Sequence, residues 1–168
     1  EGDGKSEDDL AYFRSDREYR NFLMVEQPNG DWGQTLVRQF LFDCYHFDLL
    51  HALAKSTDER ISAIANKSLK EVTYHLRYSS EWMIRLGDGT EESHRRMQAG
   101  LETRWRFLGE FFEDHPADIM LQESGISILP SSLKDGVFDR IHRILEEATL
   151  TAPEVKHFQT GGRKRIHS

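Results

Sequence analysis

Apolar residues return every three or four positions along most of this chain, and the rhythm breaks only where Gly, Pro, Asn and Asp gather. Leu36, Phe40, Asp43, Phe47, Leu50 and Ala54 trace one stripe of a long helix expected over about 32–55. Ile61, Ala65, Ser68, Val72, His75, Ser79, Trp82 and Leu86 trace a second, opened by the capping run Ser56-Thr57-Asp58 and reaching about 86. So short a connection makes the two antiparallel neighbours. Gly87-Asp88-Gly89-Thr90 stops the second helix, and a third is expected over about 91–112, with Met97, Leu101, Trp105, Leu108 and Phe111 inward. A last helix, about 133–149, carries Val137, Ile141, Ile144, Leu145 and Ala148 on one face.

The remaining segments are less periodic. A short helix is expected over about 9–23, and Gln27-Pro28-Asn29-Gly30-Asp31 is a strong break. The stretch 117–132 lacks helical spacing and reads as extended or irregular, and the acidic residues 1–9 read as ragged. The pattern gives an all-α bundle in one domain over residues 1–168.

A net charge of -7 argues against nucleic acid as a partner, which requires a basic face. No apolar run reaches the ~20 residues that span a bilayer, so no membrane partner is expected. The single cysteine, Cys44, excludes an internal disulfide and suits a cytoplasmic protein, with the thiol in or beside the core. The one basic run, Arg163-Lys164-Arg165 after Gly161-Gly162, reads first as a solvated connector and second as an anion contact. The aromatic residues Trp82, Trp105, Phe107, Phe111 and Phe112 read as core or as contacts between subunits, and His94, His115, His142, His157 and His167 as scattered surface residues.

Two polar residues stand in otherwise apolar or small stripes: Asp43 and His75. Each has a matched neighbour on its own helix, His46 beside Asp43 and Glu71 beside His75. A buried carboxylate or imidazole is costly unless paired or metal-bound. Di-iron bundles take a carboxylate from each of two helices and a Glu-x-x-His pair from each of two others. Asp43-x-x-His46 has that spacing, but Glu71-x-x-x-His75 is one residue too long, and the residue three before His75 is Val72. The expected state is therefore a polar cluster without metal, in which Asp43 or Glu71 pairs with His46, His75 or Lys70. One rival is a di-metal carboxylate oxidase or oxygenase with an atypical ligand set. Another is a plain helical storage or adaptor protein.

Five segments, in order, resemble one family. They are Val25-Glu26-Gln27-Pro28-Asn29-Gly30; Lys70-Glu71 followed by Tyr74-His75-Leu76-Arg77; Arg85-Leu86-Gly87-Asp88-Gly89-Thr90; Glu147-Ala148-Thr149-Leu150 followed by Pro153; and Thr160-Gly161-Gly162-Arg163-Lys164. Together they resemble the structural subunit of the multicomponent bacterial phenylacetyl-CoA epoxidase. That resemblance implies a ferritin-like helical bundle that is non-catalytic and has lost its di-iron centre, with no cofactor in this chain. Asp43, His46, Glu71 and His75 would be vestigial remnants of half a site, and Val72 would stand where active di-iron relatives keep a Glu. The implied partners are a homologous catalytic di-iron subunit, a small bridging subunit and a reductase subunit with flavin and iron–sulfur groups. Family members are longer at both ends, so flanking helices are expected to be missing from this chain.

Overall fold

The structure is a computed structural model and describes residues 4–167. Its frame is an antiparallel pair of long helices, joined by the short turn expected from Ser56-Thr57-Asp58 and covered on one side by two shorter ones. For element order, α1 is Glu7–Ala11, α2 Leu23–Glu26, α3 Trp32–Leu53, α4 Glu59–Gly87, α5 Glu91–Arg104, α6 Pro116–Glu123 and α7 Lys134–Glu147. Among the described residues there is no strand.

Capping explains where the long helices begin. Asp31 accepts the Gln34 amide at the start of α3, after the turn at Gly30 with φ +65°. Asp58 accepts the Arg60 and Ile61 amides at the start of α4. Helix α3 is the central element, packed on α4, α5 and α7. Accordingly it buries more than one stripe: Val37, Leu41, Cys44 and Tyr45 are as enclosed as Leu36 and Phe40. Helix α4 ends against α7, and a Cβ on Gly87 would lie 2.4 Å from the Ala148 carbonyl oxygen.

Four segments differ from expectation. The region 9–23 is not one helix but α1, a 3-10 turn at Asp16–Glu18 and then α2. Part of the segment expected to be ragged, from Ser6 on, is a capped turn, in which Ser6 and Asp9 exchange hydrogen bonds; residues 1–3 lie outside the described residues. The expected third helix is α-helical only to Arg104, and Trp105–Phe112 tightens into a 3-10 helix. Eight residues is long for that geometry. Six of them are buried, so packing of large rings rather than local preference sets the coil.

The fourth difference is α6, inside a stretch expected to be irregular. Pro116 sits in its first turn and the His115 amide donates to Asp118. None of its residues is buried, so it carries no apolar stripe for a periodicity argument to detect. The last helix is as expected, with a 3-10 turn at Pro130–Leu133 before it and Thr149 at φ +56° just after it.

The core gathers around Phe40, Phe107, Leu108, Phe111 and Ile141. Tyr45 stacks on Phe111 at 4.9 Å between centroids, and Phe22 meets the same ring edge-on at 4.9 Å. Trp105, Phe107, Phe111 and Phe112 are therefore core residues, whereas Trp82 is only half-buried. Cys44 is fully enclosed, and burial pushes its thiol pKa well above the ordinary value.

Candidate polar site between the long helices

Asp43 is the one expected site residue that is truly enclosed, at 1% exposure on the α4-facing side of α3. Its carboxylate accepts two hydrogen bonds: Ser79 Oγ donates to Oδ2 at 2.8 Å and Gln39 Nε2 donates to Oδ1 at 2.6 Å. Burial raises its pKa above the ordinary value, opposed by those two donors and by the nearby His75. Its partners are thus neutral groups, not the His or Lys expected from the sequence. The stripe counts Ser79 as a mere small residue; its hydroxyl is what reaches the acid.

His46 lies one turn along α3, half-buried against the Phe42 ring at 5.3 Å. Burial lowers its pKa, and the charge of His75 does so further, which favours neutral imidazole.

His75 and Glu71 are not interior residues, which corrects the expectation from the stripe. Their side chains are 45% and 75% exposed, and His75 Nε2 lies 3.9 Å from Glu71 Oε1. The physical reason is the helical pitch. Measured from Val72, Leu76 lies about 40° round the helix and His75 about 60° the other way, at ~100° per residue. Val72 is buried, so Leu76 turns inward and His75 falls at the edge.

Asp43 and His75 nevertheless share a cleft. Gln39, Asp43, Tyr74, His75 and Tyr78 line a space of about 380 Å³ between α3 and α4. Tyr74 and Tyr78 are 65% and 40% exposed. They continue along α4 as a ladder, with Tyr74 to Tyr78 at 6.4 Å, Tyr78 to Trp82 at 6.3 Å, and the Arg85 guanidinium 5.0 Å from the Trp82 ring.

These donors do not fit a di-iron centre. Glu71 points to solvent, Val72 offers no lone pair, and both Asp43 oxygens are already hydrogen-bonded. Among the described residues no group of three or more His, Cys, Asp or Glu is placed to hold a metal ion. Asp139-x-x-His142 on α7 adds nothing, since His142 lies at the surface against the Trp105 and Phe138 rings.

Two residues of the basic run have partners nearby. Arg163 donates to Asp118 at 3.0 Å and to the Glu113 carbonyl oxygen at 3.1 Å, and Lys164 lies 3.9 Å from Glu113. Two of the scattered histidines have set partners: His94 meets the Gly87 carbonyl at 2.7 Å, and His167 meets Glu26 at 2.7 Å. Glu110, one of the acids the third helix offers with no Glu-x-x-His, is fully buried inside the aromatic run, a placement that its spacing does not give. A lone acid among Trp105, Phe107, Leu108, Phe111 and Phe112 is the signal that could have found it.

An all-α bundle with one acid buried between its long helices and neutral partners for that acid defines the class: a helical-bundle protein. Comparison with known proteins is more specific. The chain belongs to the phenylacetic acid catabolic protein family, whose pattern it matches over residues 1–168. It is 40% identical over all 168 residues to one of the subunits of the 1,2-phenylacetyl-CoA epoxidase of Escherichia coli (strain K12), and spans 66% of that protein's length. The family fold is ferritin-like, in agreement with the helical architecture here. No helix among the described residues is long and apolar enough to cross a membrane.

Proposed function

We propose that the protein is a non-catalytic structural subunit of a multicomponent di-iron phenylacetyl-CoA epoxidase, in which it stabilises and orients the catalytic subunit during aerobic phenylacetate breakdown. The observation that carries this is the 40% identity to the E. coli epoxidase component across the whole chain. The dispersed donors support it: Asp43 is satisfied by Ser79 and Gln39, while Glu71 faces solvent. In this reading the di-iron centre belongs to the homologous catalytic subunit. A small bridging subunit and a reductase carrying flavin and iron–sulfur groups complete the assembly, and the protein works in the cytoplasm.

The test is co-expression of the natural full-length protein with its homologous catalytic subunit. The expected result is a co-eluting complex in which iron follows the partner and epoxidation of phenylacetyl-CoA requires both. The opposite result would be about two irons per chain and oxygen consumption by this protein alone, which is what the di-metal oxidase rival demands.

A further inference from the structure

Glu110 is a fully buried acid with no role in the proposed function, and the hydrogen bonds it accepts come from backbone amides. Oε2 accepts the Leu23 N–H at 2.6 Å, and Oε1 accepts the Gly161 N–H at 2.9 Å and the Arg163 N–H at 3.4 Å. Leu23 is the first residue of α2, so one side of the carboxylate caps that helix. The other side holds the loop that carries Gly161, Gly162 and Arg163. One side chain thus ties together two segments near opposite ends of the chain.

The tail reaches that point along a defined track on the 3-10 helix Trp105–Phe112. Phe158 lies on Gly109, where a Cβ would meet the ring at 2.3 Å, and the Gln159 amide donates to the Arg106 carbonyl at 2.7 Å. At the crossing the two segments touch directly. A Cβ on Gly162 would lie 2.0 Å from the Asn21 carbonyl oxygen, so only glycine fits there. Gly161 holds φ +139°, a conformation that L side chains rarely adopt. Beyond the crossing, His167 meets Glu26 of α2 at 2.7 Å.

We infer that Glu110, with Gly162 and Asn21, forms a latch that makes the segment 21–26 and the tail 159–167 open and close as one unit. The side chain needs amides from both segments, because losing either set leaves buried polar oxygens short of hydrogen bonds. The two segments also share a polar cleft of about 720 Å³, lined by Asn21 and Glu26 from one and by Arg165 and His167 from the other. That cleft exists only with the latch closed, so anything that seats on one segment acts on the other.

Hydrogen exchange resolved by segment in the full chain tests this, with two variants that strike from different sides. Glu110→Gln replaces one accepting oxygen by a donor and is expected to speed exchange at least tenfold in both 21–26 and 159–167, while α4 and α5 keep wild-type rates. Phe158→Ala removes the ring that lies on Gly109 and so strikes the tail alone, and it is expected to speed exchange at Leu23–Glu26 as well. Loosening of the tail alone in Phe158→Ala overturns the latch, and so do wild-type rates in either segment of Glu110→Gln. Should Glu110→Gln fail to fold, Phe158→Ala decides between the same two results.

Discussion

The Ser79 hydroxyl donates to the Asp43 carboxylate at 2.8 Å, so that α4 meets the one buried acid of α3 with a neutral group and not with a charge. Truncation and isosteric replacement at Asp43 should therefore behave differently. Asp43→Ala leaves Ser79 Oγ and Gln39 Nε2 without their acceptor and should lower stability by about 1–3 kcal/mol in chemical denaturation. Asp43→Asn keeps an oxygen for Ser79 and can exchange hydrogen bonds with a turned Gln39 amide, so it should be neutral or stabilising at pH 7.

The same carboxylate sets a pH dependence. Its folded pKa is raised by burial above the ordinary 3.8. The folded state therefore holds the proton more tightly, and stability from this group is greatest below 3.8 and falls as pH rises through the folded value. Denaturation of wild type and Asp43→Asn across pH 3–8 should converge at the acid end and diverge above it, with the variant gaining relative to wild type. A gap that widens toward acid would contradict this.

Glu71→Ala and His75→Ala test whether the exposed pair has a role. Their 3.9 Å contact lies in solvent, so each should change stability by less than about 0.5 kcal/mol. Iron content after anaerobic loading with ferrous iron should be unchanged by either. A drop in bound iron in both variants would revive the oxidase reading.

Gly87→Ala should be severe for so small a change. The new methyl would lie 2.4 Å from the Ala148 carbonyl oxygen and 2.9 Å from its Cβ, forcing α4 and α7 apart. Overpacking of this kind costs roughly 1–3 kcal/mol and should appear as a lowered Tm without loss of helix content.

His167 gives the tail a response to pH of its own. Its pKa is raised by the hydrogen bond to Glu26 and by the Arg17 carbonyl. A raised imidazole pKa means that its contribution is complete below the ordinary 6.5 and is lost as pH rises through the bound value. Limited proteolysis of the tail should therefore quicken only as pH rises above 6.5, and His167→Gln should remove that dependence.

Much of this architecture is legible because α4 and α7 bury one face against neighbours, and burial on one side writes a period into the sequence; α3 is buried more widely but keeps the stripe that faces α4. The same logic explains the failures. Helix α6 buries nothing, so its Ile119, Met120 and Leu121 give no stripe. The Trp105–Phe112 segment is buried on nearly every side, so its apolar pattern cannot separate a 3-10 coil from the end of α5. At the candidate site Asp43 reads as enclosed, but His75 cannot be placed. Steps of three and four from Val72 lead equally to His75 and Leu76, and only packing against α3 chooses between them. Ser79 and Gln39 are visible as residues and invisible as partners, since nothing in linear spacing distinguishes a small filler from a hydroxyl aimed at an acid.

The aromatic ladder on α4 also makes this bundle its own optical reporter. The chain has three tryptophans, and they occupy three different surroundings: Trp32 at 56% exposure, Trp82 half-buried at the end of the ladder, and Trp105 at 3%. Whatever covers the Tyr74–Trp82 face will shift the emission of Trp82 to shorter wavelength and protect it from iodide, while Trp105 stays unquenched throughout. Single-tryptophan variants would thus separate assembly on that face from changes in the core.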